Sequence, residues 1–165
     1  ERILKKIGLK TITNSYQSYS KGVERNIIEI NKDDFNLKIL PLICYEIIYS
    51  GKINPNKKSY DFILNISEDG WFGKSIGPAQ HLSHSIFRSI EEGKNVIRST
   101  NNGVSAFVNP KGQIIKQISE KGYFDVKKIK RVNKTYFAKH GNKIFFYFVL
   151  IYITFILILK IRENK

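Results

Sequence analysis

The chain of 165 residues has a single cysteine, Cys44, and half as many acidic as basic residues, 14 Asp and Glu against 28 Lys and Arg. One cysteine excludes an internal disulfide and any metal site built from several cysteines. The formal charge is +14, but the lysines are scattered and accompany no RNA-binding or helix-turn-helix signature, so no nucleic acid partner is expected. The length predicts one globular unit with an appendage. The chain begins at Glu1 and shows no charged-then-apolar leader, which we interpret as a piece of a longer protein.

A long uncharged segment lies near the C-terminus. From Ile144 to Leu159, the 16 residues IFFYFVLIYITFILIL contain no charge and form no polar face. They would make about 24 Å of helix, and flanking lysines can extend the span toward the roughly 30 Å of a hydrocarbon core. A transmembrane helix is therefore predicted, with a buried core helix as the alternative. Seven basic residues precede it between Lys127 and Lys143 and three follow. This count favours a cytoplasmic folded part, although the rule weakens for long translocated domains.

Strands and one helix alternate through the rest of the chain. Asn36 to Cys44 and Tyr60 to Ile66 predict buried strands, and Pro41 is expected to confine pairing to the last residues of the first one. A glycine-rich loop from Ser67 to Pro78 leads into a helix that ends before Gly93. The apolar face of this helix is predicted at Leu82, Ile86 and Ile90. NVIRST, GVSAFV and QIIKQI then predict a β-meander, which completes an α/β layered domain.

Cys44 lies where the first apolar strand gives way to Cys44-Tyr45-Glu46. A lone cysteine at a strand end is more often a small buried hydrophobe than a nucleophile. The sudden change to polar residues favours a strand-to-helix turn that presents the thiol at the edge of the sheet. A working thiol must also be deprotonated and needs a stabiliser for the oxyanion, for which Glu46 and the lysines are candidates.

Three strings, LICYEII (Leu42 to Ile48), DGWFGKSIGPAQH (Asp69 to His81) and RSTNNG (Arg98 to Gly103), resemble the apolipoprotein N-acyltransferase family in order and spacing. The resemblance covers nearly the whole chain. It implies an α/β fold, a nitrilase-like four-layer αββα sandwich that is incomplete here. The implied boundaries are 1–139 for the C-terminal portion of that domain and 140–165 for a transmembrane helix with a short basic tail.

The resemblance also implies a cysteine-dependent acyl transfer without a cofactor. The Cys44 thiolate would take an acyl chain from a phospholipid and pass it, through a thioester, to the terminal diacylglyceryl-cysteine of an apolipoprotein. Tyr45 and Glu46 carry over as residues that shape the nucleophile turn and support its charge. The family's catalytic glutamate and oxyanion-stabilising lysine match nothing in this chain, so the chain alone is expected to be inactive. The implied location is the bacterial inner membrane, with the catalytic domain on the periplasmic side.

Four further residues are candidates for substrate binding. Trp71 and Phe72, between glycines, would line an acyl pocket or simply anchor the loop. Arg98 and Asn101 resemble family positions near the site, although Asn102-Gly103 is first of all a hairpin turn.

Other polar residues have plainer interpretations. His81, His84 and Arg88 share one helix face, but no third ligand follows with suitable spacing, so no metal is expected. Glu68 stands where the family commonly has Asn, which leaves the detail of that loop open. The basic run from Lys127 to Lys134 is either a contact with anionic lipid headgroups or a solvated face.

Two alternatives from other classes stay open. A membrane-anchored nitrilase-type amidase would share the Cys44 chemistry but use water as acceptor. A non-catalytic membrane-anchored module would keep Cys44 as packing.

Overall fold

The computed structural model describes residues 25–33, 35–126, 128–129 and 132–163, in which six strands form one mixed sheet. The strands lie in sequence order across the sheet: β1 (Ile28–Lys32), β2 (Phe35–Ile43), β3 (Phe62–Glu68), β4 (Asn95–Asn101), β5 (Ser105–Val108) and β6 (Ile114–Ile118). β2, β3 and β4 are parallel to one another, whereas β1, β5 and β6 pair antiparallel with their neighbours. The carboxyl ends of the three parallel strands therefore meet at one edge of the sheet, where ligands usually bind in such sheets.

β2 is longer than predicted. β1 pairs with it from Phe35 to Ile39, and β3 pairs with it from Ile39 to Ile43, so Pro41 lies within the regular strand. The expectation that Pro41 restricts pairing to the last residues was wrong. Proline is tolerated here because the pairing with β1 has already ended, leaving one side of the strand without a ladder in the described part of the chain.

Helix α1 (Gly77–Glu92) begins with Pro78 in its first turn and ends before Gly93, as predicted. Leu82 and Ile86 pack against the core, but Ile90 is 47% exposed. The fully buried face of the helix is polar instead, and it consists of His81, Ser85, Arg88, Ser89 and Glu92. The predicted apolar face is thus correct for two of its three residues.

The hydrophobic core lies under α1, on one face of the sheet. Its buried residues come from β2 to β5 and the loop after β2: Leu40, Leu42, Ile47, Ile53, Tyr60, Ile63, Val96, Ala106 and Val108. The opposite face remains partly open at the carboxyl edge, where Ile43 is 60% and Ile66 49% exposed among the described residues. Ile43 and Ile66 lie opposite each other in the β2–β3 ladder. An exposed pair of large β-branched side chains is unusual in parallel strands, which are normally covered on both faces.

Two hairpins and two helices complete the chain. β4 turns into β5 at Asn102-Gly103, and β5 pairs antiparallel with β6, which confirms the predicted meander. Helix α2 (Tyr136–His140) is followed by helix α3 (Lys143–Glu163), whose 21 residues include the whole predicted apolar segment. Within Lys143–Arg162 the most apolar 18-residue stretch has a mean hydropathy of 2.6, and none of that stretch is buried against the described residues. By length and composition, α3 is suited to cross a membrane.

Candidate functional site

Cys44 is the first residue of a short 3-10 helix, Cys44–Ile48, that follows β2 directly. Its φ of 47° lies in the left-handed region, which non-glycine residues adopt at a cost of about 1–3 kcal/mol and mainly at functional sites. The side chain is neither sealed in the core nor fully exposed. The predicted strand-to-helix turn at the edge of the sheet is therefore present, and its backbone is strained at Cys44.

A buried polar network holds this turn from below. The carbonyl of Cys44 accepts a hydrogen bond from Nδ2 of Asn65 at 3.2 Å and lies 3.2 Å from Nε2 of His81. The other ring nitrogen of His81 is 2.9 Å from Oδ1 of Asp69. The Ser67 hydroxyl lies 3.5 Å from Sγ of Cys44 and 3.1 Å from Asp69. Three strand-end residues and one helix residue thus fix both the backbone and the sulfur side of Cys44.

Arg98 supplies the positive charge of this network. From β4 it donates to Oδ1 of Asn65 and to Oδ2 of Asp69, each at 2.6 Å, and neither its side chain nor that of Asp69 has any exposed surface. Burial opposes the ionisation of Asp69, but the hydrogen bonds from Arg98 and His81 outweigh it and hold the pKa of the Asp69 carboxyl below its usual value. The described partners of Arg98 are thus Asn65 and Asp69, and the predicted contact of Arg98 with a substrate stays a prediction. Arg98 stabilises the turn through Asp69 and Asn65.

Gly103 allows the β4–β5 hairpin to approach this network closely. A side chain at this position would place its Cβ 2.4 Å from Oδ2 of Asp69 and 2.6 Å from Oγ1 of Thr100. No residue other than glycine fits without displacing a carboxylate that Arg98 already holds.

Glu46 shapes the turn rather than contacting the sulfur in the described structure. One of its oxygens accepts a hydrogen bond from the backbone N–H of Ile43 at 2.7 Å, and the other pairs with Arg25 at 2.7 Å. A glutamate at the third position of a helix commonly caps it by accepting a hydrogen bond from the backbone N–H of the residue just before the helix. Glu46 thus caps the turn that begins at Cys44, and its predicted part in the chemistry stays a prediction.

An aromatic groove of about 340 Å³ begins at the residue after Cys44. The rings of Tyr45 and Phe72 lie 6.3 Å apart, and each lies within 6 Å of the His81 ring. Phe87, Gln80 and His84 extend the wall along α1. Burial, together with the charges of Arg88 and His81, lowers the pKa of His84, which favours its neutral form. The groove is a mixed aromatic and polar channel next to the nucleophile turn.

Trp71 and Phe72 have different environments. Phe72 lines the groove. Its ring lies so close to Gly77, at the start of α1, that a Cβ on residue 77 would be 2.5 Å from Cδ1 of Phe72. Trp71 is 88% exposed and does not line this groove. Of the predicted pair, Phe72 lines the groove and Trp71 does not, and a contact of either with a substrate stays a prediction.

Asn101 also has a structural partner. Its amide donates to Oε2 of Glu68 at 2.6 Å, while Oε1 of Glu68 accepts from Asn102 at 3.0 Å and from the backbone of Gly70 at 2.6 Å. These hydrogen bonds lower the pKa of the Glu68 carboxyl, and the one from Asn102 contributes most. Glu68 thus joins the β3 loop to the β4–β5 hairpin, and Asn101 belongs to that junction.

The sequence patterns did not predict the network around Cys44, in which Asn65, Ser67 and His81 contact the turn and Asp69 holds Ser67 and His81. His81 and His84 drew attention only as possible metal ligands, whereas His81 is engaged by Asp69 and the Cys44 carbonyl. The signal for the network was the polar stripe of α1, which repeats at helical spacing and must face something polar.

The fold thus places Cys44 on a strained turn at the carboxyl edge of a mixed α/β sheet. Residues 15–123 match the carbon-nitrogen hydrolase family model, and the chain belongs to this family. The mixed α/β sheet and this match confirm the predicted nitrilase-like fold class.

The curated relatives identify the branch of the family that the chain is similar to. The apolipoprotein N-acyltransferase of Rickettsia bellii is 37% identical over 150 residues, which are 86% of this chain and 30% of that protein. The same enzyme of Rickettsia typhi is 38% identical over 160 residues, 94% of this chain and 31% of that protein. The resemblance seen in the three strings is confirmed, and the chain spans about 30% of the length of these relatives.

Solved structures show a more distant likeness. An amidase from Nesterenkonia sp. AN1 shares 16% identity, covering 58% of this chain and 39% of that one, with a TM-score of 0.43.

Proposed function

We propose that this chain is the nucleophile-bearing part of a membrane-anchored apolipoprotein N-acyltransferase, with Cys44 as the acyl carrier. The observation that carries the proposal is the strained, partly exposed Cys44 beside an aromatic groove, in a chain that also contains a helix suited to cross a membrane. The similarity to relatives of that name supports the choice of acceptor. The donor would be a membrane phospholipid, and the acceptor an apolipoprotein.

The reaction has two transfers at one sulfur atom. In the first, the Cys44 thiolate attacks the ester carbonyl carbon of the phospholipid, a carbon–sulfur bond forms, and the ester carbon–oxygen bond breaks. The lysophospholipid leaves as an alcohol after taking up the proton that the thiol lost. In the second, the α-amino nitrogen of the lipoprotein cysteine attacks the thioester, a carbon–nitrogen bond forms, and the thiol is regenerated with the proton from the amine. The thioester keeps the acyl group reactive between two bulky membrane-bound substrates.

The described residues supply only part of what this chemistry needs. The Ser67 hydroxyl is the group recorded within hydrogen-bond distance of Sγ in the described ranges, and the Glu46 carboxylate is occupied by Ile43 and Arg25. A serine hydroxyl is a poor base, so a carboxylate base and a cationic oxyanion stabiliser must come from elsewhere in the protein. Because the catalytic glutamate and lysine of the apolipoprotein N-acyltransferase family match nothing in this sequence, we expect the 165-residue chain alone to be inactive.

The open sheet face fits the same proposal. The exposed Ile43 and Ile66 lie opposite α1, where a second sheet would pack in a four-layer αββα arrangement. Such a sheet would bring its own polar residues to the carboxyl edge beside Cys44. We place this domain on the periplasmic face of the bacterial inner membrane, where lipoprotein acceptors would meet it.

An acyl-transfer assay tests the proposal. The product of the complete reading frame, reconstituted with phospholipid carrying isotope-labelled acyl chains, should form an acyl adduct on the Cys44 peptide by mass spectrometry. A synthetic lipopeptide with a free α-amine should then receive the labelled chain. Release of free fatty acid without transfer would favour an amidase-like use of water, and absence of any adduct would favour a non-catalytic module.

Two controls accompany this assay. Cys44→Ser should abolish the thioester and the transfer, and the 165-residue chain alone should form no adduct. Labelling Cys44 in spheroplasts with a membrane-impermeant thiol reagent reports orientation, because modification without lysis requires the periplasmic side.

A further inference from the structure

A second cavity, of about 370 Å³, lies at the base of α3 and is rich in lysine. Its walls come from the loop between the 3-10 helix and β3, from α2, and from the first turn of α3. The basic residues that line it are Lys57, Lys134, Lys139, His140 and Lys143. Because these residues come from distant parts of the sequence, the fold itself concentrates the positive charge.

Backbone contacts hold the lysines together. Nζ of Lys57 donates to the carbonyl of Lys139 at 3.0 Å, and Nζ of Lys134 donates to the carbonyl of Lys57 at 3.0 Å. Each ammonium group has three N–H donors, so both keep donors for a further partner after these contacts. The loop also abuts the α2–α3 corner, where a Cβ on Gly51 would lie 3.4 Å from the Gly141 backbone. The cluster is therefore a built feature rather than a set of independent surface chains.

Little negative charge balances this cluster. No acidic residue occurs between Asp125 and Glu163 in the sequence. Glu92 is the acidic residue in the cavity lining; it is 7% exposed and accepts a 2.6 Å hydrogen bond from Tyr60. Burial raises the pKa of the Glu92 carboxyl, which weakens it further as a counter-charge. The cavity is strongly cationic and attracts an anion from outside the described residues.

The position of the cavity identifies the source of that anion. Lys143 belongs to the cavity wall and is also the first residue of α3, directly before the uncharged stretch that starts at Ile144. With α3 in a bilayer, the cavity lies at the depth of the lipid headgroups. Tyr136, 64% exposed and stacked 4.2 Å from His140, gives this level an aromatic side chain of the kind found at membrane interfaces.

We propose that this basic cavity binds the phosphate of an anionic phospholipid, and so fixes the folded domain against the membrane surface. The ligand class is a headgroup with net negative charge, such as phosphatidylglycerol, rather than a zwitterionic headgroup. The proposal rests on the membrane location of α3 in the proposed function but not on the chemistry of Cys44. The lipid molecule bound by the lysines at the base of α3 is separate from the acyl donor consumed at Cys44.

Lipid binding to the complete protein tests this site. The protein carries Cys44→Ala, so that no lipid is consumed, and is placed in phosphatidylcholine nanodiscs with acyl-chain spin-labelled phosphatidylglycerol or phosphatidylcholine. The motionally restricted fraction of the label should show a clear preference for phosphatidylglycerol. Lys139→Gln with Lys143→Gln should reduce the apparent affinity about 25-fold, roughly fivefold for each charge removed near a membrane surface.

The variants are chosen to keep the fold intact. Lys57 and Lys134 are retained because their ammonium groups make the backbone contacts. Lys139→Arg with Lys143→Arg should restore binding, and Lys111→Gln with Lys121→Gln, the same loss of charge outside the cavity lining, should leave it unchanged. Equal binding of the two lipids, or an equal loss in the Lys111 and Lys121 control, would overturn the proposal.

Further outcomes distinguish lipid binding in this cavity from binding of a soluble anion and from the proposed acyl transfer. Displacement of the labelled lipid by millimolar inorganic phosphate would indicate a soluble-anion site and contradict the assignment to lipid. Extraction of the protein by alkaline carbonate would show that α3 does not span the membrane. That result would remove the membrane location of α3, on which both proposals depend, whether or not acyl transfer occurs. Failure of the protein with Cys44 intact to transfer acyl chains, with the lipid preference retained, would refute only the role of Cys44.

Discussion

The buried Arg98–Asp69 pair offers the sharpest test of how the nucleophile turn is supported. Replacing Arg98 by Met keeps a side chain of comparable length but leaves the Asp69 carboxylate buried without its cationic partner. Both side chains have no exposed surface, and the pair is joined at 2.6 Å. Removing one member of such a pair costs about 3–5 kcal/mol, a large part of the roughly 5–15 kcal/mol that stabilises a typical domain.

Hydrogen exchange of the β3 and β4 backbone amides, read by mass spectrometry in the complete protein, measures this loss without assuming two-state unfolding. Exchange in Arg98→Met should accelerate about a hundredfold to a few thousandfold, since about 1.4 kcal/mol corresponds to a factor of ten. Adding Asp69→Asn should restore part of the protection, because the unpaired charge is then removed.

A matched control lies in the same sheet. Lys38 on β2 pairs with Glu29 at 2.8 Å, but their side chains are 38% and 46% exposed. An exposed pair of this kind contributes less than about 1 kcal/mol, so Lys38→Met should change exchange by less than about tenfold. The reasoning fails if the Arg98 and Lys38 variants behave alike, or if Asp69→Asn makes the Arg98 variant still less protected.

Three further predictions concern the same turn. The lowered pKa of Asp69 contributes stability that is present above its unfolded pKa of about 4 and is lost as pH falls through the folded value, so acid melting curves should flatten in Asp69→Asn. Gly103→Ala should destabilise the domain by about 1–3 kcal/mol in thermal melts, because its Cβ meets the Asp69 carboxylate, whereas Gly122→Ala meets its nearest neighbour at 3.6 Å and should not. Glu46→Ala removes the acceptor for the Ile43 N–H, whereas Glu46→Gln keeps one. If this cap holds the Cys44 turn, iodoacetamide alkylation of Cys44 should slow more in Glu46→Ala than in Glu46→Gln. Equal alkylation rates would contradict a capping role.

The order of elements could be predicted from sequence because each has a local cause. The strand before Cys44, the helix between Pro78 and Gly93, and the Asn102-Gly103 hairpin follow from apolar runs and turn residues that act over a few positions. The error at Pro41 has a different origin, since whether proline interrupts a strand depends on which neighbour pairs at that point. Pairing partners lie far apart in sequence, and no local pattern reveals them.

The site was less predictable than the fold for the same reason. Cys44 and Glu46 were found because the change from apolar to polar residues is local. Arg98 was assigned to substrate although it is fully buried, since an arginine near the end of a strand gives no sign of whether it faces solvent or a carboxylate. Its true partner, Asp69, lies 29 residues away and is brought close only by the parallel pairing of β3 and β4.

His81 links the two parts of the site. Its ring holds the carbonyl of Cys44 and also forms part of the groove wall between Tyr45 and Phe72. The backbone strain at Cys44 is therefore balanced by a residue that also defines the space beside the nucleophile. A ligand that displaced the His81 ring would loosen the turn, and a turn that relaxed would reshape the groove. The position of the sulfur and the shape of the channel beside it therefore depend on the same ring, which Asp69 and Arg98 hold from the buried side.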